Sequence, residues 1–241
     1  MMNTKIKKIS INEWKGVTNT DTEYFDESVD PTASKPIYVL LVEGDAPISF
    51  AIKMYTNCRF SHAMVSFDLD MQELYGFGIR SKNDIETGNR HGFHRENFTK
   101  SYANKNITVY AAYVSNDTYE KMKEYVEQFK HDKNSGKYDW SIILNCLLKI
   151  DKKITKSEYT QVCSTFVDAI FKQINVDLTG KEIPSPKDLS VAISERKPEF
   201  KLLYDGIGAE YDPRKLKSKL RSFVKAKYSR NVDENTSTIN S

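Results

Sequence analysis

The stretch "PIYVLLVEGD", residues 36–45, constrains the fold of this chain more than any other. The apolar run from Ile37 to Val42 is unbroken and far too short to span a membrane. Gly44 and Asp45 close it with a turn signal. A run of that length and ending reads as a strand buried in a core. The rest of the chain must therefore supply elements to cover it. "APISFAIKMYTN" has Ile48, Ala51, Ile52 and Tyr55 at helical spacing, and Pro47 fits a first helical turn. "SHAMVSFDLD" and "QELYGFGIR" flank a polar turn and read as a hairpin. "SKNDIETGNRHGFHRENF" reads as a glycine- and charge-rich excursion, and "NITVYAAYV" as a further strand.

Helices come next. "SNDTYEKMKEYVEQFKHD" offers Ser115 or Asn116 as a cap and places Tyr119, Met122, Tyr125, Val126 and Phe129 on one face. "DWSIILNCLLKI" is an apolar helix or buried segment that takes Cys146 into the core. A helix from Cys163 carries Val162, Phe166, Ala169, Ile170 and Ile174 as its apolar stripe. "IPSPKDL" is a turn into a short helix, and "KLLYDG" a last strand. The expected organisation is a loose arm over 1–35, one α+β domain over 36–212, a basic amphipathic helix over 213–230 and a disordered tail over 231–241.

Composition narrows the function classes. The 241 residues carry a formal net charge of +3, too little to imply obligate nucleic-acid binding. The basic start "MMNTKIKKIS" has no apolar stretch behind it, so no secretory signal is expected. With no apolar run long enough to span a membrane, a cytoplasmic protein is expected. The Lys- and Asn-rich composition fits an AT-rich bacterium or its phage. Three widely spaced cysteines do not form a disulfide framework, which suits a reducing compartment where a reactive thiol survives.

Cys163 lies in the first turn of its helix, where unpaired backbone N–H groups stabilise a thiolate and can bind an oxyanion. The competing reading is a buried structural thiol, the commoner fate of a cysteine. A nucleophilic cysteine needs a base, usually histidine. The chain has four, His62, His91, His94 and His131, and His131 sits in a charged helix end. His62 begins an apolar strand and shares a face with Met64 and Ser66. A histidine on an otherwise apolar strand is more often a structural residue than a base, so spacing alone signals weakly.

Taken together, "FAIKMYTNCRFSHAMVSF" and the later "CSTFVDAIF" resemble the circularly permuted papain-like hydrolases, the YiiX-like and lecithin retinol acyltransferase-like relatives of the NlpC-type cell-wall peptidases. "YGFG", "GFHRE", "KYDW" and "IPSPKDL" are similar to pieces of a bacterial branch, and the resemblance spans roughly residues 36–210. It implies a permuted papain-like fold, an antiparallel sheet packed against helices including the nucleophile helix. Cys163 is then the nucleophile and His62 the base. It further implies acyl transfer from an amide or ester: a peptide, a peptidoglycan fragment, an isopeptide or a lipid acyl group. No metal or organic cofactor is required. The rival class is a non-enzymatic module of a bacterial or phage assembly that keeps the fold.

A third group should orient His62. If the hairpin turns near Asp70 and Met71, His62 pairs near Ile79, and Glu73 lies roughly 20 Å away at strand rise. Glu96 follows the excursion from the same end and matches the glutamate of the family's "GF" segment, so it is favoured over Glu73. A backbone carbonyl remains open, as does a merely solvated Glu96. Cys58, His62, His91, His94 and Cys163 could also supply soft zinc ligands, at loose spacing and without a CxxC. In "RKLKSKLRSFVKAKYSR", Leu216, Leu220, Phe223, Val224 and Tyr228 share a helical face among eight basic residues. The segment is expected to pack on the domain through Leu216, Leu220 and Phe223, leaving Lys217, Lys219 and Lys225 exposed. A weak contact with anionic surfaces is the alternative.

Overall fold

The apolar run does become a strand, and it has no wet face. The computed structural model describes residues 34–79, 87–88, 91–131, 137–138, 160–195, 200–218 and 220. Strand β1 (Ser34–Glu43) keeps Ile37 through Val42 buried. Side chains alternate across a strand, and here each face meets its own core. Ile37, Val39 and Leu41 join one cluster, and Tyr38, Leu40 and Val42 join the other.

Both edges of β1 are paired antiparallel, to β2 (His62–Ser66) and to β6 (Asn106–Ser115). Beyond β2 come β3 (Leu74–Ile79) and β5 (His91–Glu96), and beyond β6 comes β9 (Phe200–Ile207), all antiparallel. The short β4 (Thr87–Gly88) and β7 (Lys137–Tyr138) pair antiparallel with β5. β8 (Thr160–Gln161) adds a parallel pair to β7. The described residues thus form a nine-stranded, mostly antiparallel sheet with helices packed on it, an α+β architecture.

One face is covered by helices α3 (Asn116–His131) and α4 (Cys163–Lys172). Of the two candidate caps, Ser115 serves α3, its Oγ accepting from Thr118 N at 3.2 Å. Met122, Val126 and Phe129 of α3 are buried, and Tyr119 and Tyr125 are half-buried. On α4, Val162, Phe166, Ile170 and Ile174 are buried as expected, together with Val167 and Phe171, while Ala169 is only half-buried. Phe166 meets Phe77, Phe93 and Phe129 at ring-centroid distances of 4.9, 5.7 and 5.6 Å. Such aromatic clusters add to area burial and fix orientation. The other face is covered by Phe98 and Tyr102 of α2 (Phe98–Tyr102) and by Tyr211, Leu216 and Leu220.

Two expectations need correction. The excursion "SKNDIETGNRHGFHRENF" is not all loop: its second half is β5, fully paired with β3. Charged residues hid the alternation that places Phe93 on the helix side and His94 and Glu96 on the other. The helix α1 (Pro47–Thr56) forms with Pro47 in its first turn, but none of its residues is buried, and Phe50 and Met54 are 63% and 68% exposed. Its Ile48 and Ile52 line a cleft instead of a core. At the C-terminal side, residues 213–218 are helical, Leu216 and Leu220 are buried and Lys217 is exposed. The arm over 1–33, the segment 139–150 with Cys146, and Phe223, Lys225 and the tail lie outside the described residues, as does the Lys219 side chain. No helix among the described residues is long and apolar enough to cross a membrane.

"SPKD" of "IPSPKDL" starts α5 (Pro186–Glu195) with a reciprocal cap. Ser185 N donates to Asp188 Oδ2 at 2.8 Å, and Asp188 N donates to Ser185 Oγ at 3.2 Å. Partial burial opposes ionisation of Asp188, but Lys181 and the two bonds from Ser185 outweigh it and hold the carboxyl below its ordinary range. A depressed carboxylate stabilises the fold above its unfolded pKa and loses that contribution as pH falls through the folded one. Asp188→Asn should therefore cost about 1 kcal/mol near neutral pH, with the gap to the wild type narrowing below the ordinary carboxylate range. Denaturant unfolding of both proteins across pH checks this; a gap that stays constant with pH would remove the charge from the account.

Candidate active site

β3 reads "LYGFGI", and its two glycines make room for the site. The β2–β3 register pairs Val65 with Tyr75 and Ser66 with Leu74, so its continuation sets His62 opposite Gly78. That is one residue short of the Ile79 expected from the sequence. β3 in turn sets Gly78 opposite Gly92 and Gly76 opposite His94. His62, Gly76, Gly78, His94 and Glu96 therefore share one sheet face. With no side chain on Gly78, imidazoles from the strands on either side converge above it. A Cβ there would lie 3.2 Å from His94 Cε1 and 3.4 Å from His62 Cε1.

His94 and Glu96 are 0% exposed, and His62 is half-buried. One ligand-type atom from each of the three lies within 4.8 Å of the others. Glu96 is thus a buried member of the cluster with His62, not a solvated loop charge. Glu73 is engaged elsewhere: it accepts from Tyr75 Oη and pairs with Arg95 at 2.5 Å. The bond from Tyr75 is the largest cause holding the Glu73 carboxyl below its ordinary range, with Lys130 and Arg95 adding to it against the effect of burial.

His94, which the sequence offers only as a zinc alternative, belongs to this cluster. The signal was available: on a strand, His94 and Glu96 two residues apart must face the same way. Its Nδ1 lies 2.8 Å from the Gly92 carbonyl oxygen, which can only accept, so Nδ1 carries a hydrogen. Its Nε2 lies 2.7 Å from Glu96 Oε1 but is not aligned as a hydrogen bond. The separation is that of an ion pair only if the His94 ring is protonated.

Cys163 is the first residue of α4 and is 5% exposed. The first intrahelical bond is Phe166 N to Val162 O at 3.0 Å, so the helix itself leaves the N–H groups of Cys163, Ser164 and Thr165 unused. Thr165 Oγ1 accepts from Val162 N at 2.9 Å and steadies the turn. Ser164 Oγ donates to Pro184 O at 2.6 Å, tying the turn to the loop before α5. Cys163 and His62 line one cleft, with Gly44, Ser61, Gly78 and Tyr138 among its walls. Gly44 is needed where β1 leaves the cleft: a Cβ there would stand 2.5 Å from Ser49 Oγ and 2.8 Å from Ser61 Oγ. Lys105 and Asp45 pair at the rim.

The five-residue zinc set does not assemble among the described residues. His62 and His94 come together with Glu96, whereas His91 is exposed and Cys58 packs against the helix-side core.

No protein-family model matches the chain, and no curated protein matches it. Among solved structures it is similar to the crystal structure of metalloprotein yiiX from Escherichia coli O157:H7, DUF1105. The two are 13% identical over 72% of this chain and 98% of that chain, with a TM-score of 0.47. Function has to be read from this chain's own residues.

The room above Gly78 is checked by filling it. Gly78→Val should cost about 1–3 kcal/mol of stability, since the imidazoles on both sides are already at contact distance. Gly78→Ala should cost less, because one methyl needs only a few tenths of an ångström. Denaturant midpoints for the two variants measure this, and a neutral Gly78→Val would show that the rings do not crowd the glycine.

Proposed function

We propose that this chain is a cysteine-dependent hydrolase or acyltransferase with a permuted papain-like fold, acting on an amide or ester bond. One observation carries the reading: the thiol at the head of α4 and the imidazole at the start of β2 line the same cleft. The likeness of "SHAMVSF" and "CSTFVDAIF" to the permuted papain-like hydrolases supports it, because those are the segments that supply the two residues.

In this reading Cys163 attacks the substrate carbonyl as its proton passes to His62. The oxyanion forms at the head of α4, where backbone N–H groups that have no acceptor within the helix and the helix dipole favour negative charge. Collapse of the tetrahedral intermediate expels the amine or alcohol, which takes the proton back from His62. A thioester on Cys163 remains, and water or a second nucleophile releases the acyl group with His62 again as base. Glu96 and His94 act as positioning residues for the His62 ring. The substrate class is a peptide, a cell-wall fragment, an isopeptide or a lipid acyl group.

A non-catalytic module with the same fold is the second reading, and the near-complete burial of Cys163 favours it. Thiol reactivity separates the two. Iodoacetamide should alkylate Cys163 near neutral pH faster than Cys58, and His62→Ala should slow Cys163 by at least about 10-fold. The pH profile of the Cys163 rate should bend below the ordinary thiol range, near pH 8.5. Peptide mapping by mass spectrometry gives each rate. A Cys163 that reacts slowly, and equally with or without His62, would favour the structural module.

A further inference from the structure

We propose that His62, His94 and Glu96 form a binding site for one divalent transition-metal ion of the zinc type, and that filling it switches off the thiol chemistry. The ion-binding half stands on the cluster alone; the switching half rests on the proposed cysteine mechanism.

The donor set is the first observation. Two imidazoles and one carboxylate from three residues offer their atoms within 4.8 Å of one another. In a tetrahedral zinc site, ligand atoms at 2.0–2.2 Å from the metal stand roughly 3.3 Å apart. Small side-chain rotations would bring the wider separations in and let the 2.7 Å His94–Glu96 pair open around an ion. Two neutral imidazoles and one carboxylate leave a net charge of about +1 and a fourth position for water or another ligand.

The second observation is the state of His94. Its Nδ1 hydrogen is spent on the Gly92 carbonyl, so in the neutral ring Nε2 presents a lone pair. That Nε2 is buried, makes no hydrogen bond, and lies 2.7 Å from a Glu96 oxygen. Two acceptors held that close inside a protein repel unless a cation sits between or beside them. A proton is one such cation, but the contact is not aligned for it. A metal ion satisfies both acceptors without that alignment. The Gly92 carbonyl is then the outer partner that orients a ligating histidine.

The third ligand gives the site its consequence. His62 lines the cleft with Cys163. A His62 nitrogen bound to metal cannot accept the thiol proton, so an occupied site leaves Cys163 without its base. Cys163 itself is outside the donor set. Metal would act here as a reversible inhibitor rather than a cofactor.

The experiment uses the full chain, freed of metal with a chelator. Zinc is titrated against a chromophoric competitor, and cobalt(II) is titrated with its visible spectrum recorded. The expected result is one equivalent bound with micromolar or tighter affinity, retained in Cys163→Ala. His94→Ala or Glu96→Gln should weaken it by more than about 10-fold, the loss that removing even an outer-shell partner can cause. Because these residues are buried, thermal melts establish that the variants fold. The wild-type cobalt spectrum is decisive even if they do not: intense tetrahedral bands without thiolate charge transfer support the site. Thiolate charge transfer, loss of binding in Cys163→Ala, or no stoichiometric binding overturns it. Saturating zinc should also slow Cys163 alkylation in the wild type and have little effect on it in His94→Ala. Protection that persists in that variant overturns the switch. Slow Cys163 alkylation in metal-free protein would count against the cysteine mechanism, and with it the switch, while the titration decides the metal site separately.

Discussion

A strand with two dry faces has to be covered twice, and most of this structure comes from meeting that demand for β1. On one side the cover is α3 and α4, drawn down by Phe129, Phe166 and Ile170. On the other it is α2, Tyr211, Leu216 and Leu220. Burying six consecutive large side chains supplies roughly 1.5–3 kcal/mol each before the cost of ordering the chain. The helix that opens with Cys163 is thus held in place by core packing and not by the chemistry at its end. The cleft opens where β1 runs out at Val42 and Gly44, so it draws its walls from both layers.

Within that frame the sheet spends stability on polar groups. β3 gives up two side chains at Gly76 and Gly78, and the space goes to Met64 on one side and to the imidazoles of His62 and His94 on the other. A histidine and a glutamate, both fully buried in contact, would be a poor choice for stability alone, since removing charge from water is costly. Buried ionisable groups beside a cleft are a common mark of functional sites. Asp168 offers a contrast. It too is buried, and burial pushes its carboxyl up, yet it pairs with Lys172 at 2.5 Å on its own helix, does not line the cleft of Cys163 and His62, and reads as structural.

Much of this was legible in the sequence, for identifiable reasons. β1 announced itself by an unbroken apolar run, α3 by its spacing and a cap at Ser115 or Asn116, and α5 by the turn "IPSPKDL" that leads into it, though not by the cap within that turn. Glu96 is preferred to Glu73 from the hairpin geometry together with the family's "GF" segment, and Glu73 does sit at the far end of β3 with Tyr75 and Arg95. What escaped was β5. Its alternation puts Phe93 on one face and His94 and Glu96 on the other, so half of a buried strand looked like a charged loop. Missing the strand meant missing His94, because only strand geometry places it beside Glu96. The exposure of Phe50 and Met54 on α1 was equally unreadable, since helical spacing shows which residues share a face but not what that face meets.

The central claim is that Cys163 is an activated nucleophile, and an acyl-enzyme tests it most directly. An activated aryl ester is mixed with the metal-free protein, quenched in acid, and examined by intact-mass and peptide-mapping mass spectrometry. The account predicts a single acyl group on Cys163, formed much more slowly in His62→Ala and absent from Cys58. Acyl groups spread over lysines and Cys58, with Cys163 unmodified, would contradict it.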